Sequence, residues 1–438
     1  MSLAQIIFIV LSAAAFGFFT YTILRLLKLF RFTKSENRWN NIGRRAVTTL
    51  LVAFGQTKMM KRPIAGLLHA FVWWGFLVIT IGSLEMMIDG ITGIDKVFSS
   101  LGGFYTFVTA SSDIFAALIV LSCIIFLCRR YITKPKRFIA PEMKPSSRAD
   151  ATFILSLILI LMLTLLGMNA AYIAASDSDY SGSFPGSYFL TPLFSSLEHE
   201  QIAVIEKANW WIHIVIIYFF LNFLPYSKHF HVFASVPNVF FTRMEPYAKL
   251  QNMESVTREV NIMLNPSAQT DASPPPERFG VKDAEDVTWK TLLDSYTCTE
   301  CGRCTAVCPA NTTGKLLSPR KLYIDLRRRM KDKSDGLIQT GKEFTDGKSL
   351  IGSDYITEEE LWACTTCMAC IEECPVDIDH VPFIIDMRRN LVMEESKVPA
   401  LLGTMFSNIE NNGAPWAFAA SDRFNWANDI EMKSVTNN

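Results

Sequence analysis

Apolar and polar positions divide the chain into two halves of different texture. Up to about residue 233, long apolar runs over roughly 5–30, 64–88, 104–128, 151–175 and 209–233 alternate with polar connections. A helix of about 20 residues crosses a hydrocarbon core of about 30 Å, so the pattern predicts five membrane-spanning helices. The stretch 42–58 (IGRRAVTTLLVAFGQTK) is mixed in character and Lys58, Lys61 and Arg62 follow at once. It reads as an amphipathic helix at the membrane surface and not as a sixth span. In the first run the basic residues Arg25, Lys28 and Arg31 come after the apolar segment and no A-x-A-like site ends it. That order predicts a retained span, not a cleaved signal peptide.

Beyond 233 the texture changes. A helical, polar connector is expected over 234–265, then a Pro/Ser-rich linker over 266–279 (PSAQTDASPPPERF). From 280 to about 395 helical patterns (LSPRKLYIDLRRRMKDK, HVPFIIDMRRNLVMEES) flank polar loops, with no alternating strand pattern. The tail 396–438 reads as irregular and, with Trp416 and Trp426, as a partner-binding segment. The expected domains are therefore 1–233, 234–279, 280–395 and 396–438.

Charge orients the membrane half. Loop 31–63 holds Arg31, Lys34, Arg38, Arg44, Arg45, Lys58, Lys61 and Arg62, and loop 129–150 holds Arg129, Arg130, Lys134, Lys136, Arg137, Lys144 and Arg148. The alternate loops, 89–103 and 176–208, carry only Lys96 and Lys207. Basic loops stay in the cytoplasm, which predicts an inner-membrane protein with its N-terminus outside and its C-terminal half in the cytoplasm. The formal net charge of zero gives no electrostatic case for a nucleic-acid partner.

Of ten cysteines, eight fall in two copies of C-x2-C-x2-C-x3-C-P, CTECGRCTAVCP and CTTCMACIEECP. A disulfide scaffold belongs in a small secreted chain, and a zinc ribbon would ordinarily use two cysteines per half. Four thiolates per motif fit cubane iron-sulfur clusters, with the fourth cysteine serving the other cluster. The expected quartets are Cys298, Cys301, Cys304 and Cys374 for one [4Fe-4S] cluster and Cys364, Cys367, Cys370 and Cys308 for the second.

Ionisable groups in spans are functional by default. His69 lies two turns inside the second span, and His213, His229 and His231 lie in or at the end of the fifth. Over one continuous helix, His213 and His231 share a face about 27 Å apart, and His229 is turned roughly 160° away from His213. Depth pairs His69 with His231 as axial ligands of an inner b-type haem; packed core histidines are the bland alternative. Asp113 in the third span either relays a proton or caps a shorter helix after Ser111 and Ser112, the cap being favoured. Cys123 and Cys128 read as apolar packing residues.

These motifs also carry a resemblance. The cysteine half resembles bacterial two-cluster ferredoxins and the helical ferredoxin domains of succinate dehydrogenase, heterodisulfide reductase and anaerobic glycerol-3-phosphate dehydrogenase. WWIHIVIIYFFLNFLPYSKHFHVFASVP and GLLHAFVWWGFLVITIG resemble the haem spans of the respiratory nitrate reductase gamma subunit, which implies His69 and His231 for an inner haem b and His213 for an outer one. That pattern calls for a second histidine where this chain has Ile79, so an outer haem needs another partner, His199 or Met168. The order of parts is similar to fusions of heterodisulfide reductase membrane and ferredoxin subunits and to haem-containing electron transfer flavoprotein:quinone oxidoreductases. Their cysteine-rich CCG domain has no counterpart here.

The sequence reading is an all-α membrane bundle of five helices, nitrate reductase gamma-like, followed by a helical two-cluster ferredoxin domain. The resemblance implies an electron-transfer subunit between a cytoplasmic partner (a CCG-domain protein or an electron transfer flavoprotein) and membrane quinone, by analogy menaquinone. Two alternatives stand beside it, a haem-free iron-sulfur anchor and a self-contained membrane reductase of a soluble substrate. No nucleophile or dinucleotide-binding glycine motif supports the latter.

Overall fold

The computed structural model describes residues 1–176, 180–265 and 278–431. Among the described residues regular structure is helical, with two isolated bridges in place of a sheet. Five helices are long and apolar enough to cross a membrane: Leu3–Phe30, Pro63–Thr92, Gly103–Thr133, Pro145–Ala175 and His199–Tyr226. Their starts are written locally. Ser2 with Gln5 and Glu198 with Gln201 form reciprocal caps, and Pro63 and Pro145 occupy first-turn positions whose N–H would be unpaired anyway. The second span ends on Gly93 at φ 75°, a left-handed cap that glycine adopts freely.

The fifth span departs from expectation. It begins at His199, ten residues earlier than the apolar run suggested, and its regular helix ends at Phe223. Pro225 lies in a tight turn over Leu224–Tyr226, Ser227 is extended (φ −99°, ψ 155°), and a new helix runs His231–Phe240. Proline and the extended serine break the register, so counting turns from His213 to His231 does not give their relative facing. The connector is likewise interrupted, with a second helix only at Glu254–Leu264, and most of the predicted linker, 266–277, lies outside the described residues.

Consecutive spans pack from the second to the fifth, and the first closes against the second and fifth. Ile79, Ala116, Ile119, Cys123, Leu161, Met162 and Leu166 form one core, with Cys123 in a packing role as expected and Cys128 exposed. Asp113 is wholly buried within the unbroken helix Gly103–Cys128 and does not cap it. Its carboxylate instead accepts from the Gly186 and Ser187 backbone N–H at 2.6 and 2.9 Å, from the Ser187 hydroxyl and from Asn169 Nδ2 at 3.2 Å. It thus caps the short helix Pro185–Tyr188 of the opposite loop.

The soluble half centres on helices Trp289–Thr297, Pro319–Thr340 and His380–Arg389. Leu292, Leu322, Tyr323, Leu326, Met330, Ile384 and Met387 form its core, which continues into Leu29, Phe230 and Ala234 of the membrane half. Buried Arg329 binds Asp283 and Asp346 at 2.7 and 2.6 Å, and Lys333 binds Asp283 and Glu285 at 2.9 and 2.7 Å. Polar contacts also join the halves: Lys58 to Asp377, Lys61 to Glu372, Arg320 to Glu142 at 2.6 Å, and Asn238 Nδ2 to Asp294 at 2.9 Å and to the Val376 carbonyl at 2.8 Å. Both basic loops therefore lie on the side of the soluble domain. The tail is more regular than expected, with a helix over Ala400–Asn412 that buries no side chain and exposed Trp416, Phe418, Phe424 and Trp426 beyond it.

Candidate redox site

Each cysteine motif is a loop bent inward by two left-handed residues. Glu300 and Gly302 have φ of 57° and 69°, and Thr366 and Met368 have φ of 56° and 63°. The positions are the same in both motifs: two after the first cysteine and one after the second. Left-handed backbone costs a residue with a side chain roughly 1–2 kcal/mol, and a β-branched residue such as Thr366 is a marked outlier. Alternating right- and left-handed residues aims successive N–H groups into an anion-accepting concavity of the kind that surrounds iron-sulfur sites. In keeping with that, Thr366 N–H points at Cys364 Sγ (3.4 Å) and Ile378 N–H at Cys374 Sγ (3.4 Å).

All eight motif cysteines are free of disulfides; Cys367 is exposed, Cys301 and Cys364 are half-buried and the other five are buried. Burial pushes the Cys304 thiol well up, and the neighbouring charges that add to it are, in order, Cys301, Cys374, Cys298 and Cys370. Burial likewise pushes Cys370 up to about 12, followed by Cys364, Cys308 and Cys367. The thiols therefore group by neighbourhood across the two motifs, with the last cysteine of each among the first three of the other. Such a set is untenable as bare thiolates and suits a multiply charged metal centre. Among the described residues no three His, Cys, Asp or Glu converge on a single ion.

At the membrane face His69 and His231 stand 6.3 Å apart between ring centres with the rings inclined by 31°. A metal–imidazole bond is about 2 Å, and with half a ring added at each end two imidazoles on one metal stand about 6 Å apart. His69 Nδ1 lies 3.0 Å from Gln56 Oε1 and His231 Nδ1 3.3 Å from the Lys228 carbonyl. Both Nδ1 atoms act as donors, leaving Nε2 the lone pair of a ligand. Burial, then the charges of His229 and His69, holds His231 down to about 3 and so neutral. The broken helix also brings His229 within 5.9 Å of His231, against the expectation that it turns away; its Nδ1 is taken by Ser227 Oγ at 3.0 Å and Asp150 at 3.5 Å.

His213 is elsewhere. It is buried in the bundle, its Nδ1 within 2.9 Å of Thr164 Oγ1 and 3.0 Å of the Leu161 carbonyl. It lines a cavity of about 760 Å³ together with Ile79, Met168, Glu85, Lys96 and Tyr105. Of the two suggested partners Met168 lines this cavity and His199 does not.

Residues 297–378 match the family model of the 4Fe-4S dicluster domain. The chain is a relative of the iron-sulfur oxidoreductases. It is 32% identical to a probable iron-sulfur-binding oxidoreductase, FadF, of Bacillus subtilis, over 98% of this chain and 62% of that protein. It is 28% identical to the EtfAB:quinone oxidoreductase of Syntrophomonas wolfei, over 99% of this chain and 60% of that protein. A stretch covering 24% of this chain is 32% identical to 52% of a CoB-CoM heterodisulfide reductase component of Methanosarcina acetivorans. This chain thus spans about 60% of the length of the first two relatives. No solved structure matches it.

Several residues of the site escape motif reading. Gln56, at φ 55°, orients His69 from a segment that looks like an ordinary polar turn. Arg303 lies inside the first motif, where only the cysteines draw notice, and reaches the Lys58 and Met59 carbonyls at 3.1 and 3.5 Å. Arg327 reaches the Cys298 carbonyl at 3.2 Å from the long helix of the insert.

Proposed function

We propose that this chain is the membrane electron-transfer subunit of a quinone-linked oxidoreductase, passing single electrons between a cytoplasmic redox partner and the quinone pool. Two [4Fe-4S] clusters and one haem b supply the one-electron carriers when bound, held by Cys298, Cys301, Cys304 and Cys374, by Cys364, Cys367, Cys370 and Cys308, and by His69 and His231. The observation that carries the reading is a juxtaposition. Arg303, beside Cys304, hydrogen-bonds the carbonyls of Lys58 and Met59, and this same segment carries Gln56 against His69. The cysteine quartets and the histidine pair are thereby joined through one short piece of chain.

Exposed Cys367 marks the outer quartet as the face a soluble partner meets, and the quartet containing Cys304 is proximal to the membrane. Basic loops on the same side as the soluble domain support a cytoplasmic location for that side and an outward N-terminus. Quinone as the membrane partner, and an electron transfer flavoprotein or CCG-type protein as the soluble one, are supported by the EtfAB:quinone oxidoreductase and heterodisulfide reductase relatives. Cavity-lining His213 and Met168 offer an outer haem one candidate pair. The purified full chain, reduced with dithionite, is expected to show b-type haem bands that His69→Ala and His231→Ala each abolish, with non-haem iron near eight per chain by the two-cluster rule. Reduced protein without those bands removes the haem from the path.

A further inference from the structure

Two arginines from different halves of the chain meet at the proximal quartet. Arg303 is 3% exposed, and its guanidinium is spent on backbone carbonyls, those of Lys58 at 3.1 Å and Met59 at 3.5 Å, so its charge is uncancelled by those bonds. Arg137 comes from the loop between the third and fourth spans. A methyl built on Gly302, between Cys301 and Arg303, would lie 2.5 Å from Nη1 of Arg320, which is paired with Glu142, and 3.3 Å from Arg137 Cβ. The Nε and Nη1 atoms of Arg137 are buried without a hydrogen-bond partner. Charge at Cys301 bears on both guanidinium groups, as does that of Arg62, and Glu373 bears on Arg303.

The distal quartet is built differently. Its nearby arginine, Arg388, bonds the Cys364 carbonyl at 2.6 Å, and Cys367 opens to solvent. Charges act strongly in a buried, poorly screened setting and weakly beside water. The proximal site therefore sets Arg137 and Arg303, against the acids Glu300 and Asp377, in a less screened setting than the distal site has.

We infer that Arg137 and Arg303 form a cationic junction that favours the reduced, more negative state at the proximal quartet, holding its potential above that of the distal one and biasing electrons toward the membrane. The inference rests on the two-cluster reading above. One electron moves between the quartets and none of the named residues gains or loses an atom or a proton. Arg137 belongs to the membrane half, so the bias exists only when the two halves are docked. These are positioning residues that act through charge.

The test is a potentiometric titration of the full detergent-solubilised chain followed by electron paramagnetic resonance. In Arg303→Gln and in Arg137→Gln the more positive of the two cluster midpoints moves negative while the other stays in place, and Arg303→Lys restores the original value. If Arg303→Gln does not fold, Arg137→Gln, on a connecting loop, decides the matter. Clusters of full iron content whose two midpoints are unmoved, or move together, overturn the inference and leave the two-cluster reading intact. A wild-type chain with no cluster signal overturns that reading and this inference with it.

Discussion

Gln56 offers a test in which backbone and side-chain effects separate. It is buried, left-handed at φ 55°, and donates from Nε2 to the Ala53 carbonyl at 2.5 Å while Oε1 accepts from His69 Nδ1 at 3.0 Å. An accepting partner on the far nitrogen makes the coordinating nitrogen a stronger donor, which favours oxidised iron. Gln56→Gly keeps the backbone, because glycine takes positive φ without cost, and removes the acceptor. A neutral hydrogen bond is worth about 1 kcal/mol, and for a one-electron couple about 59 mV is a tenfold change, so its loss should raise the haem midpoint by about 40 mV. Gln56→Glu keeps the acceptor and charges it; bonds to charged groups are roughly twice as strong, which should lower the midpoint by about 40 mV further below wild type. The assay is a redox titration of the haem band in the purified chain. Shifts of the same sign in both variants, or none in either, refute the claim that Gln56 holds an axial His69.

Four further outcomes are expected. Asp113→Ala strands the donors of Gly186, Ser187 and Asn169 and should cost about 1–3 kcal/mol for each buried donor left unsatisfied, read as faster thermal inactivation and cleavage of the loop that holds Pro185–Tyr188, whereas a proton-relay role would instead show as lost turnover in a stable protein. Arg329 and Lys333 hold the Asp283 carboxyl below the usual range although burial alone would raise it; its stabilisation is present above the ordinary carboxylate value of about 3.9 and is lost as pH falls through the depressed folded value, so Asp283→Asn should flatten the acid limb of a stability profile. Gly280→Ala, at φ 67° with the new carbon overlapping the Asp386 carbonyl oxygen, should unseat the start of the soluble domain and lower iron content. Cys374→Ser should remove the same cluster signal as Cys301→Ser, and Cys308→Ser the same one as Cys364→Ser.

Much of this was legible beforehand because the signals are strong and local. Apolar length located the five spans, and cysteine spacing located both motifs to the residue. The fifth span failed at both ends for identifiable reasons: the polar helix from His199 to Ala208 lacks the apolar signal of a span, and Pro225 with extended Ser227 resets the register that the count assumed. His69 and His231 nevertheless meet, since depth, unlike facing, survives a break in the helix. Asp113 was read against its own helix, and its partner, the turn at Gly186, is 73 positions away. Arg137, Arg303 and Gln56 act through contacts between the halves, which no periodicity within one segment encodes.

The central claim is a continuous path from the exposed quartet to the haem histidines, and rapid mixing tests it directly. The full chain in nanodiscs containing a naphthoquinone is reduced anaerobically by a polar one-electron donor that does not enter the bilayer, while cluster and haem absorbance are followed together. The account predicts cluster bleaching, then haem reduction, then quinol, and in Cys374→Ser a distal cluster that still bleaches while the haem stays oxidised. Haem reduction at the wild-type rate in Cys374→Ser contradicts it.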